Sequence, residues 1–330
     1  MKTRIVIGVS LIVVVVAMAN LLPSQAQKAT SEPAQQLAGN GAPPLSNPLK
    51  VALLKWYKAD RTAHFPVGQQ PYGVCFDGTN IWTANFGDGT VTKLRANDGA
   101  LLGTFPAGIE PYGVTFDGAN IWVSNVGSNN VMKLRANDGK ILGTFPTGTA
   151  PTWMTFDGEN IWVPNGNNTL TKLRASDGKV LGNFTVGVGP IATAFDGENV
   201  WVTNSSDGTV TKVRARDGKI LGTFTVGSGP TGVAFDGASI WIANRGADNV
   251  SKLRASDGTL LGTFNTPLEP YGLAFDGIDI WVTGLYVYEL RASDGAILGR
   301  LVPGTNTIGV AFDGANIWIA GLNDNSVGKL

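Results

Sequence analysis

The chain has 330 residues, with 25 basic and 25 acidic side chains, only 15% charged residues, 44 Gly, one Cys and one His. Balanced charge gives no sign of the basic excess that nucleic-acid binders carry. The single Cys75 excludes an intrachain disulfide and thiolate metal sites, and the single His64 excludes a histidine-rich zinc or iron centre.

In chain order, Lys2 and Arg4 precede an apolar run from Ile5 to Ala19, and Ala17-Met18-Ala19 at its end and Ser24-Gln25-Ala26 beyond it both offer small-residue cleavage sites. This pattern predicts a signal peptide over 1–26 and export to the periplasm or the extracellular space. Asn20 and the cleavage sites favour removal; the alternative is an uncleaved anchor, the only membrane contact foreseen. Residues 27–48, rich in Ala, Gln, Pro, Ser and Gly, read as a disordered linker. Residues 49–330 read as one folded domain.

Within that domain Phe-Asp-Gly recurs at Phe76, Phe116, Phe156, Phe195, Phe235, Phe275 and Phe312, in steps of 40, 40, 39, 40, 40 and 37 residues. A period of about 40 residues with β-type content marks a propeller. The unit 111–148 contains four strand candidates, Tyr112–Phe116, Asn120–Ser124, Val131–Ala136 and Lys140–Phe145, here called A to D. Asp-Gly-x-Asn and Asn/Ser-Asp-Gly turns join A to B and C to D, placing Gly or Asn where tight hairpins need positive φ. In Lys133-Leu134-Arg135 the alternation sends Leu inward and Lys and Arg to water. A Trp in every strand B (Trp82, Trp122, Trp162, Trp201, Trp241, Trp281 and Trp318) is assigned to packing between blades, each worth roughly 4–6 kcal/mol of burial.

The last repeat ends at Leu330, while Val51–Gly68 matches Val91–Gly108 as a degenerate C–D half-repeat. The expected fold is therefore all-β, a seven-bladed β-propeller with four-stranded blades, its ring closed by an N-terminal strand that completes the last blade. Either end has a candidate for that blade's strand C.

A–B and C–D turns share one face and are nearly uniform. D–A and B–C loops share the other, where the blades differ and where a specific site is expected. Counting back from each Phe gives Tyr72, Tyr112, Trp153 and Tyr271 around the channel mouth, with Glu110 and Glu269 two residues before Tyr112 and Tyr271. Trp153 interrupts a column of small residues. The blade-six B–C loop, Gly284-Leu285-Tyr286, is three residues short, which opens a cleft flanked by Arg245. Asn85, Asn125, Asn165, Asn204 and Asn244 either ring the mouth or cap their own loops. His64 is assigned to the surface and Cys75 to a small buried slot. The chain has no phosphate loop, nucleophile elbow or EF-hand motif.

The unit x-Pro-Tyr-Gly-Val-x-Phe-Asp-Gly-x-Asn-Ile-Trp-Val-x-Asn, then Val-x-Lys-Leu-Arg, resembles bacterial NHL/YVTN-type propellers and is most similar to the virginiamycin B lyase (streptogramin lyase) family over about residues 50–330. That family opens a cyclic depsipeptide by elimination, using a Glu-x-His at the head of an inner strand, a second Glu and a magnesium ion. Here the match is Glu269-Pro270-Tyr271 with Gly284 at the second Glu, and Glu110-Pro111-Tyr112 with Asn125 departs in the same way. The catalytic motif is not retained, and a Tyr with an ordinary pKa near 10 is a poor base at neutral pH.

Two functions follow. One is an exported, monomeric binding module for a protein, peptide or glycan, requiring no cofactor. The other is a metal-dependent lyase or lactonase-like enzyme in which Glu110, Glu269, Asn125 and Asn244 hold Mg²⁺ or Ca²⁺ through oxygen ligands. The absent catalytic constellation favours the first.

Overall fold

The computed structural model describes residues 63–266, 268–301 and 306–330. The signal segment, the linker and the start of the half-repeat lie outside the described residues. The described residues form seven four-stranded antiparallel sheets, each a blade running from an inner strand A to an outer strand D. Blade 2 shows the pattern, with strands Pro111–Phe116, Asn120–Asn125, Asn130–Arg135 and Ile141–Pro146, within one residue of the sequence expectation at most ends.

Blade 7 takes strands A, B and C from Thr307–Phe312, Ile317–Gly321 and Ser326–Lys329. Its strand D is Ala63–Pro66, paired antiparallel to Ser326–Lys329 with His64 opposite Gly328. The C-terminal end thus supplies the strand C that the sequence left open, and the two ends together close the ring.

Each Phe-Asp-Gly aspartate does more than make a turn. Its Oδ2 accepts the Nε1–H of the strand-B Trp five residues later, at 2.7–2.8 Å in all seven blades. Its Oδ1 accepts the backbone N–H groups two and three residues on, as at Ala238 and Ser239 from Asp236. Six of the seven Trp are fully buried, each packed on the next blade, as Trp82 packs against Val114 and Ile121. Asp313 shows the balance: burial pushes its carboxyl up, but bonds from Trp318 and Asn316 outweigh it and leave it below the usual range.

The strand-C lysines do not face water as the alternation suggested. Lys93, Lys133, Lys172 and Lys212 are 6–8% exposed. Each amine lies 5.0–5.2 Å from the ring centre of its own blade's Trp. Each donates to a carbonyl in the next blade, Lys133 to Ala175 and Lys212 to Ala255 at 2.6 Å. Alternation fails as a guide because both faces of a blade are covered by neighbours, so there is no wet face in mid-sheet. Blade 6 is the exception. Glu289 stands opposite Trp281, Leu301 replaces the Phe that stacks on the other Trp rings, and Trp281 is only half-buried.

Arg and Asp three apart in each C–D turn form exposed pairs, such as Arg174–Asp177 and Arg214–Asp217 at 2.6 Å. The guanidinium bonds hold Asp177 and Asp217 at about 2, and the Thr259 backbone N–H does the same for Asp257. A depressed carboxyl stabilises the fold above its unfolded value near 3.9 and loses that effect as pH falls through its folded value. The melting temperature is therefore expected to hold down to about pH 4 and to fall progressively towards pH 2. A melting series across that range checks it.

Candidate functional site: the aromatic mouth

Two local irregularities place the mouth residues. In blades 1 and 2 the A–B register shifts between Pro71 and Val74 and between Pro111 and Val114, so Tyr72 and Tyr112 leave the ladder. In blades 3 and 6 strand A begins only at Thr155 and Leu273, so Trp153 and Tyr271 precede it. Trp153 instead bridges to Ala192 of blade 4, its N–H donating to the Ile191 carbonyl at 3.1 Å.

The four aromatic residues do not merely surround the entrance; they meet across it. Ring centroids are 4.8 Å apart for Tyr72–Tyr112, 5.0 Å for Tyr112–Trp153 and 5.3 Å for Trp153–Tyr271. The hydroxyls of Tyr112 and Tyr271, from blades 2 and 6, are 2.9 Å apart and share a hydrogen bond. Phe86, in the first B–C loop, extends the cluster at 5.0 Å from Tyr72. Sequence columns missed Phe86; its signal was the lone aromatic position directly after an Asn of the repeated Asn column. Beneath the cluster lies a cavity of about 120 Å³, lined mainly by Val74, Trp153, Ala192, Val233, Leu273 and Val310. Burial pushes the Tyr72 and Tyr112 phenols up, so both stay neutral across the physiological range.

Glu110 and Glu269 occupy one column, and the structure shows why that column is unusual. Gln70, Glu110, Ala150 and Glu269 have φ of 52°, 55°, 48° and 51°, where blades 4 and 5 use Gly189 and Gly229. The neighbouring B–C loop holds this turn, as Asp248 does by accepting the Glu269 N–H at 2.7 Å. A left-handed non-glycine residue costs about 1–2 kcal/mol. Ala150→Gly is therefore expected to raise stability by about 1 kcal/mol, measured by urea unfolding.

Arg245 flanks the cluster and closes on Glu269 and Tyr271. Its Nη2 donates to Glu269 Oε2 at 2.8 Å, and its guanidinium lies 5.3 Å from the Tyr271 ring centre. The bond to Glu269 raises its already high pKa. The short loop brings Gly284 against the Glu269 carbonyl, 2.5 Å from where a Cβ would stand. Glu110 has no ion-pair partner among the described residues; its carboxylate lies over Gly127.

Asn85, Asn125, Asn165, Asn204 and Asn244 are fully buried and do not ring the mouth. Asn125 accepts the Gly108 N–H and donates to Asn130; Asn244 donates to Asn249 and Ser251. Of the four oxygen ligands considered for a cation, Asn125 Oδ1 is thus engaged inside its blade, and Asn244 Oδ1, though without a hydrogen-bond partner, is fully buried there. Glu269 faces a guanidinium, and no group of three or more His, Cys, Asp or Glu side chains converges among the described residues. These residues do not fit the magnesium ligand set of the lyase resemblance. His64 is exposed, with Nδ1 3.1 Å from Ser326 Oγ, and burial pushes the Cys75 thiol well up.

Solved β-propellers share this architecture. The streptogramin B lyase structure superposes with a TM-score of 0.70 at 17% identity, covering 81% of this chain and 96% of that one. Virginiamycin B lyase from Staphylococcus aureus gives 0.70 at 20% identity, covering 81% and 98%. Kuenenia stuttgartiensis hydrazine synthase gives 0.70 at 17% identity, covering 79% and 95%. No protein-family model and no curated protein matches the sequence. At these identities the likeness establishes the seven-bladed fold, which hosts unrelated activities.

Proposed function

We propose that this chain is an exported binding module that engages a protein, peptide or glycan through its D–A and B–C loop face. The observation that supports this reading most is the aromatic cluster at the mouth. Four blades contribute to it, two from the register shift at the head of strand A and two from a strand A that starts late, while the opposite face spends its polar residues on turns and Arg–Asp pairs. Half-buried tyrosine and tryptophan offer large, rigid contact area at low entropic cost. Glycan and peptide arrays probed with the purified protein test it. Tyr112→Ala, Trp153→Ala and Tyr271→Ala, each checked for folding by circular dichroism, are expected to lower binding at least tenfold; unchanged binding in all three overturns the reading.

A second reading, a metal-assisted lyase or lactonase-like enzyme, draws on one observation, the carboxylate of Glu269 at the head of the blade-six inner strand. Ligand binding to the native state raises stability, so a melting temperature that does not move with added Mg²⁺ or Ca²⁺ counts against it.

A further inference from the structure

The whole chain is neutral, but the mouth face is not. The described D–A and B–C loops carry six acidic side chains, Asp88, Glu110, Asp207, Asp248, Glu269 and Asp324, against one basic side chain, Arg245. That single cation is itself neutralised by Glu269. A ligand approaching the aromatic cluster meets a negative field, which attracts cations and repels anions.

Arg245 shows what this surface accepts. Its guanidinium rests over the Tyr271 ring at 5.3 Å with the Glu269 carboxylate as counter-ion at 2.8 Å. Aromatic face plus carboxylate is the pairing that holds a cation by its charge and the ring quadrupole together. The other half of the mouth holds the same residue types without the ion pair. Tyr72, Phe86 and Tyr112 cluster their rings, and Glu110, two residues before Tyr112 as Glu269 is before Tyr271, carries a carboxylate with no ion-pair partner among the described residues.

We propose that the mouth recognises a basic peptide segment, seating a lysine ammonium or arginine guanidinium on the Tyr72–Phe86–Tyr112 surface against Glu110. This inference rests on the reading of the mouth as a binding surface and names its ligand chemistry. A peptide is the occupant because one cation fills one ring-and-carboxylate pair, whereas the remaining carboxylates, spread over several blades, match a chain of positive charges.

Fluorescence anisotropy of labelled octalysine and octaglutamate against the purified protein tests it. Octalysine is expected to bind and octaglutamate not to bind. Raising NaCl from about 50 to about 300 mM is expected to weaken octalysine roughly tenfold. Glu110→Gln, a surface change that leaves the fold intact, is expected to weaken it about fivefold. Arg245→Gln removes the competing internal cation and is expected to tighten it about threefold. Octaglutamate binding that Arg245→Gln abolishes overturns the proposal, because the mouth then takes anions. So does octalysine binding that Glu110→Gln leaves unchanged. A neutral glycan that binds in a Trp153-dependent manner, with no octalysine binding, overturns this inference while leaving the binding role standing; array binding indifferent to the mouth aromatics removes the binding role itself.

Discussion

Asp236→Ala is expected to destabilise the protein by about 3–5 kcal/mol, measured by urea unfolding. Four groups depend on that carboxylate: the Trp241 Nε1–H at 2.7 Å, the Ser239 and Ala238 N–H groups at 2.6 and 2.9 Å, and the Lys252 amine at 3.9 Å. Trp241 is fully buried, so its indole N–H has no water to turn to. Lys252, which also donates to Ala292 of the next blade at 2.6 Å, loses a counter-charge. A buried donor left without an acceptor costs about 1–3 kcal/mol, and more follows where a charge is involved. Asp257→Ala provides the contrast. Its carboxylate is about half exposed and pairs with Arg254 and its own turn, and the expected loss is much smaller than at Asp236. Equal losses in the two variants would show that the Asp–Trp bond does not hold the blades.

Gly309→Ala is expected to cost about 3 kcal/mol or to prevent folding, read by melting temperature and soluble yield. The inner strands of adjacent blades approach so closely that a Cβ at Gly309 would stand 2.1 Å from the Tyr72 carbonyl oxygen and 3.0 Å from the Val74 N–H nitrogen. Both are backbone atoms and cannot rotate away. The contact joins blade 7 to blade 1, where the ring closes. Ala192 occupies the same column in blade 4, so Ala192→Gly at the same inner radius is expected to change stability by no more than about 1 kcal/mol beyond its lost methyl group. The pair separates a steric limit at the seam from a general dislike of substitution at the centre.

Much of this was legible in the repeat. The interval between Phe-Asp-Gly triplets gave the blade count, because one four-stranded sheet needs about that many residues. The match of Val51–Gly68 to Val91–Gly108 gave the closing strand. The buried lysines were not legible, since strand alternation assumes one wet face and a blade has none. The Asp–Trp bond was visible as a constant spacing of five residues but reads as two separate structural features until the indole is seen to turn back on the carboxylate. At the mouth, Tyr72, Tyr112, Trp153 and Tyr271 were found by counting back from each Phe. What the count could not give was the direction of their side chains. That depends on register shifts at Pro71 and Pro111 and on the late start of strand A in blades 3 and 6. The burial of the Asn column was hidden for a related reason: its place at the end of strand B sets the amide against strand C.

The strictest comparison sets the two faces against each other in one array experiment. Wild type is measured beside a mouth variant, Tyr72→Ala with Glu110→Gln, and an opposite-face variant, Arg135→Gln with Asp138→Asn. Basic-peptide binding is expected to fall at least tenfold in the mouth variant and to stay within about twofold of wild type in the other. Binding that is lost only in the opposite-face variant, or that survives intact in the mouth variant, contradicts a binding surface built on the aromatic mouth.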